Sequence, residues 1–161
     1  MDNMQRKSVS SLLLAIIPGV LFVLGAGVFF LPLIGVRLSD GSLLSFPSVT
    51  MIFGGEATVA HGGSLYSFVF SLNLYAIGTL QLLLLASFAS FLSRGRKSNK
   101  VLALILGALG IVGFSMQILF LTLASPSIEK SGLEYTGFFV MGIAFLALAC
   151  ALDLIALLKK D

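Results

Sequence analysis

The chain has 161 residues, of which 58% are apolar and only 11% charged, whereas about a quarter of the residues of a soluble domain carry charge. With a mean hydropathy of +1.08 and a net charge of +3, the composition excludes a water-soluble globular domain and makes lipid the expected solvent. The basic balance brings no basic, aromatic-interleaved surface with it, so nucleic acid is not an expected partner.

The first apolar run covers residues 8–36 and follows Arg6 and Lys7. A basic start followed by LLLAIIPGVLFVL has the form of a signal peptide. The apolar run continues through Gly25-Ala26-Gly27 into VFFLPLIGV, well beyond an h-region of about 7–15 residues, and is therefore read as a membrane helix. Pro18 and Pro32, with Gly19, Gly25 and Gly27, predict a bend or broken turn in it.

Residues 37–64 form the only long interruption. The segment opens on the turn signal Ser39-Asp40-Gly41-Ser42 and closes on Gly62-Gly63. Pro47 suits the first position of a short helix and Gly54 the position after its end. Val49, Ile52 and Phe53 follow an i, i+3, i+4 pattern, which predicts a helix over 47–53 resting on the membrane surface or on the mouth of a bundle. A competing reading pairs a strand through Val49, Thr50 and Ile52 with a return strand over 57–60. His61 is the only histidine, with Glu56 and Asp40 as the acids of this loop. A metal or acid–base centre needs more converging groups than that. No metal or cofactor is therefore expected, and Val49, Ile52, Phe53, Glu56 and His61 are read as a contact surface.

The second and third runs cover 65–93 and 101–125, joined by a short connection that holds Arg94, Arg96, Lys97 and Lys100. Asn99 is placed to cap the third helix. Ala103, Gly107, Gly110 and Gly113 form a small-residue stripe of the kind that lets membrane helices approach closely. Asn73, Gln81, Ser115 and Gln117 are polar groups of this hairpin that could line a path, and counting from the connection places Gln81 opposite Ser115 and Asn73 near Gln117. They are expected to face the interior and to hydrogen-bond across the seam.

The fourth run covers 133–158, opened by a capping-box pattern from Ser131 to Glu134 and followed by Lys159 and Lys160. Gly137, Ala144, Ala147 and Ala151 form a second small-residue stripe, read as a seam or a face for another protein. Asp153 is the one acid within the apolar stretch 135–158 of this run. Its closeness to the end of the helix predicts an interfacial ion pair with Arg94, Arg96 or Lys160. Cys150 has no partner cysteine within the chain. Tyr66 and Tyr135 fall where an aromatic belt would place them.

Eight basic residues flank the amino end, the 94–100 connection and the carboxyl end, against Arg37 and Lys130 in the other two connections. By the positive-inside rule both termini are cytoplasmic and residues 37–64 are extracytoplasmic. The expected fold class is an all-α integral membrane protein, an antiparallel four-helix transmembrane bundle with a long first extracytoplasmic loop, forming a single domain over 1–161. Four helices with both ends inside and a larger first outer loop resemble the architecture of claudin-like and other tetraspan proteins. Claudins carry a W-GLW-C-C pattern in that loop, and this loop has neither Trp nor Cys, so the resemblance implies no barrier role. The run lengths also resemble small multidrug transporters, which use a buried Glu in the first helix, where residues 8–36 have no acid. The FPSVTMIFGG segment is similar to stretches of uncharacterised small bacterial membrane proteins, which implies a compartment, the cell membrane, and no activity. The expected role is non-enzymatic: a multi-pass protein acting through contacts with another membrane protein or with itself. A small transporter or channel subunit working as an oligomer is the second expectation.

Overall fold

The computed structural model describes residues 3–93, 96–126 and 132–159, with the side chains of 3–11 and 15 left aside. In chain order the elements are α1 (Asn3–Val28), β1 (Ile34–Arg37), β2 (Leu43–Ser45), α2 (Ser48–Phe53), β3 (Gly55–His61), β4 (Ser64–Phe70), α3 (Leu74–Phe91), α4 (Lys97–Ser115), α5 (Gln117–Ala124), β5 (Leu133–Tyr135) and α6 (Gly137–Leu158). Among the described residues three helices, α3, α4 and α6, are long and apolar enough to cross a membrane. The chain is mostly helical, but the strands correct the expectation of an all-α protein.

Each correction has a local cause. The first helix stops at Val28 instead of running to 36. Its last turn tightens as the N–H groups of Phe29, Phe30 and Leu31 donate to the carbonyls of Ala26, Gly27 and Val28. Pro32 then offers no N–H, and the residue before a proline is disfavoured in the helical region. The second helix begins at Leu74, because 64–70 is a strand. Tyr66, Phe68 and Phe70 point inward while Leu65, Ser67 and Val69 point outward, the period-two pattern of a half-buried strand. Gly62 and Gly63 have φ of +57° and +81°, which lets a two-residue turn close the β3–β4 hairpin. The third run breaks at Met116 into α4 and α5. Residues 133–135 pair as a strand with β1 instead of opening the fourth helix; Ser131, the proposed cap, lies outside the described residues. Asn99 caps the preceding helix, its side-chain amide donating to the Leu92 carbonyl at 2.8 Å.

The long helices pack as a ring of neighbours: α1 against α3 and α6, and α4 against α3 and α6. The inward residues of α6, Gly142, Leu146, Ala149, Asp153 and Ala156, are spaced by four and three, the spacing of left-handed helix packing. The stripe Gly137, Ala144, Ala147 and Ala151 is exposed and is therefore not the seam. The stripe on α4 is buried. A Cβ at Gly107 would meet the Phe22 ring at 2.5 Å, and one at Gly113 would meet Thr79 Oγ1 at 2.5 Å, so these glycines set the helix separation. Phe22, Leu83, Phe114 and Leu146 fill the interior with no exposed surface.

The strands form a cap over one end of the ring. One sheet has the order β2-β1-β5 and the other pairs β3 with β4, all antiparallel. Phe46 joins them, buried with its ring edge-on to Phe68 and Phe70 at 4.6 and 5.5 Å between centroids.

Candidate functional site: the cap and the mouth it closes

The helix α2 lies across the capped end as a plug. Met51 and Ile52 turn inward, while Val49 and Phe53 are about half exposed at 48% and 49%. Ile52 therefore separates from the contact surface read in the sequence. Ser48, also inward, bridges the break after α1: its hydroxyl donates to the Leu31 carbonyl and accepts from the Leu33 N–H. Both backbone groups lost helical partners where Pro32 interrupts the chain.

Beneath the plug, Ser48, Ile52, Asn73 and Gln117 line a cavity of about 10 Å³ together with Phe29 and Leu121, which is about the space of one water. Asn73 and Gln117 are both buried there. They do not bond to one another. The Asn73 carboxamide oxygen caps α3 by accepting from the Ala76 N–H at 3.0 Å, and its main-chain N–H donates to the Ile52 carbonyl. The Gln117 amide donates to the Gly113 carbonyl at 2.8 Å. Each amide is committed to nearby backbone. Gln81 and Ser115 are exposed on the outside of their helices, Ser115 donating to the Ile111 carbonyl. The four polar residues therefore do not converge on one interior path.

The break at Met116 is closed from the cap. Tyr135 Oη donates to the Ser115 carbonyl at 2.7 Å and accepts from the Ile118 N–H at 3.1 Å. Its ring stacks on Phe139, which in turn stacks on Phe114. Burial pushes the Tyr135 hydroxyl above its ordinary pKa, although the backbone N–H from Ile118 acts the other way. Across the sheet, Arg37 forms a two-pronged ion pair with Glu134, Nε to Oε1 at 2.6 Å and Nη2 to Oε2 at 2.5 Å. That guanidinium holds the Glu134 carboxyl below its usual range.

His61, at the tip of the hairpin, is clasped to the β1–β2 turn. Its Nε2 lies 3.0 Å from Asp40 Oδ2 and 3.0 Å from Ser42 Oγ. The Ser42 hydroxyl also donates to Asp40 Oδ1 at 2.6 Å. The Ser42 hydroxyl and main-chain N–H, together with His61, hold the Asp40 carboxyl well below its ordinary range. This is a fastening and not a nucleophile–base–acid relay, because the acid and the hydroxyl share one ring nitrogen instead of flanking the imidazole. Glu56 is separate from it, accepting from Ser67 across the hairpin.

At the opposite end, Asp153 is fully buried and accepts from Ser90 Oγ at 3.2 Å. Among the described residues it pairs with Ser90 and not with Arg96, which is exposed. Arg94 and Lys160, the other partners expected, lie outside the described residues. The depth of Asp153 explains the difference: it occupies the inward four-three register of α6, which aims it at α3 and away from solvent.

Tyr135 and Ser48 carry no sequence motif, since each acts on backbone far along the chain; Ser42 lies in the turn signal Ser39-Asp40-Gly41-Ser42, which does not show its contact with His61 nineteen residues on. The alternation in 64–70 next to Gly62-Gly63 was the signal that could have revealed the hairpin. Comparison with known proteins finds no matching family, no matching curated protein and no matching solved structure.

Proposed function

We propose that the chain is an integral membrane protein of four antiparallel spans, α1, α3, α4 with α5, and α6, and that its β-rich cap stands outside the cytoplasm. Arg96, Lys97, Lys100 and Lys159 sit at the uncapped end, which supports that orientation through the positive-inside rule. Its role is non-enzymatic: it acts through protein contacts, as an accessory subunit or membrane organiser, with the cap as its recognition surface. The observation that carries this reading is the cap itself. It is a folded unit in which α2 plugs the mouth, Phe46 joins the sheets, and Leu65 and Val69 of β4 remain exposed at 75% and 68%. A folded surface of that kind suits recognition, and among the described residues the interior is filled by Phe22, Leu83, Phe114 and Leu146.

The reading is tested by photocrosslinking from Leu65 or Val69 in native membranes, with flux through liposomes containing only this chain measured in parallel. A discrete crosslinked partner with no flux is the expected result. Solute flux through the purified chain, without a partner, would replace the contact role by transport.

A further inference from the structure

We infer that α3 carries a second seam on its outer face, through which two copies of this chain pair side by side with Gln81 of each bonded to Gln81 of the other. The inference rests on α3 spanning the membrane. Gln81 is exposed and lies seven residues, about 10 Å along the axis, from Leu74 at the capped end, close to the middle of the span. It has no hydrogen-bond partner among the described residues. A carboxamide facing hydrocarbon leaves a donor and an acceptor unmet, a cost that favours any arrangement supplying both.

The surroundings of Gln81 have the form of a helix seam. Leu74, Gly78, Gln81, Leu85, Phe88 and Leu92 recur at intervals of four and three, and the large residues among them are 52–68% exposed. The inward face of the same helix uses a different register, Ala76, Thr79, Leu83, Ala86 and Ser90, so the outer one is left unused by the fold. Gly78 has open space where a Cβ would stand. It also borders a groove of about 540 Å³ between α3 and α4. Close approach at a small residue, one turn from a polar group, is the usual construction of a membrane helix pair. A single polar position in such a seam fixes its register.

The occupant is a second copy because of depth and chemistry. Copies insert in one orientation, so a two-fold axis normal to the membrane brings Gln81 against Gln81 at equal depth. A carboxamide is self-complementary: each carbonyl accepts from the other's NH₂. A lipid chain offers neither group, and an unrelated helix would need its own polar residue at that depth.

The test uses the full chain in liposomes, with Cys150 replaced by Ala and single cysteines introduced in turn. Oxidative crosslinking between copies is expected at Gly78→Cys, Leu85→Cys and Phe88→Cys, and not at Ile105→Cys on α4 or Ala144→Cys on α6. In a fluorescence-transfer dilution series, Gln81→Leu removes both hydrogen bonds of the pair and should weaken pairing by about 10- to 900-fold, each interhelical bond accounting for about 3- to 30-fold. Because Gln81 is exposed, that substitution leaves the interior packing untouched, and the cysteine scan tests the seam with Gln81 in place. Crosslinking confined to Ala144, equal crosslinking at every outward position, a monomer at all dilutions, or unchanged pairing in Gln81→Leu would each overturn the seam. Labelling of Leu85→Cys by a membrane-impermeant aqueous reagent would instead overturn the span on which it rests.

Discussion

The Tyr135 hydroxyl donates to the carbonyl of Ser115 at 2.7 Å, so a residue of the cap mends the backbone of a long helix where it breaks. The same oxygen receives the N–H of Ile118. Tyr135→Phe removes both hydrogen bonds at once and leaves the break at Met116 without them. Loss of about 1–3 kcal/mol is expected in denaturant unfolding in detergent. Tyr135→Leu should lose more, since the stack on Phe139 goes as well. Wild-type stability in Tyr135→Phe would show that water replaces the hydroxyl at no cost.

The plug helix gives a contrast between neighbours. Ile52 is 3% exposed and faces the cavity, whereas Phe53 is 49% exposed. Ile52→Ala should cost about 2–5 kcal/mol through lost burial and the space left behind. Phe53→Ala should stay within about 0.5 kcal/mol in detergent. Limited proteolysis of 38–64 reads the same difference as loss of protection in the first variant alone. Equal sensitivity in both would mean that α2 is not seated.

Acid should loosen the hairpin tip. Asp40 is held below its usual range chiefly by Ser42 and next by His61. A carboxyl with a depressed folded pKa stabilises the fold above its unfolded value and loses that contribution as pH falls through the folded one. The unfolded value is close to the ordinary 3.8. Hydrogen exchange at 61–65 should therefore be flat with respect to Asp40 above that pH and accelerate, relative to the interior of α4, below it. Asp40→Asn should abolish the acid-induced change. Persistence of the same acid step in Asp40→Asn would assign it to another group.

Orientation is checked by accessibility. Ser64 and Ser98 are both exposed and lie at opposite ends of the helices. A cysteine at Ser64 should react with an impermeant maleimide added to intact cells, and one at Ser98 only after the membrane is opened. The reverse pattern would put the cap in the cytoplasm.

The apolar composition and the charge-free runs pointed to the three long apolar helices α3, α4 and α6 but not to their bounds, because crossing a bilayer demands length and apolarity and little else. The α4 stripe of Gly107, Gly110 and Gly113 was legible for the same reason: close packing without a hydrophobic drive selects small residues. Hydropathy could not separate residues 64–70 from the helix that follows, since a strand facing an apolar cap and a helix facing lipid draw on the same side chains. The period of two was the distinguishing mark. Contacts across long sequence separations decided the rest. Residues 133–135 become a strand because β1 offers them a ladder, and Tyr135 turns toward Ser115 because α4 breaks beside it. Asp153 is buried, and Ala144 and Ala151 are exposed, because the rotation of α6 is set by whole-face packing against α1 and α4. A spacing of seven places residues on one side of a helix, and only the neighbours determine which side is inside.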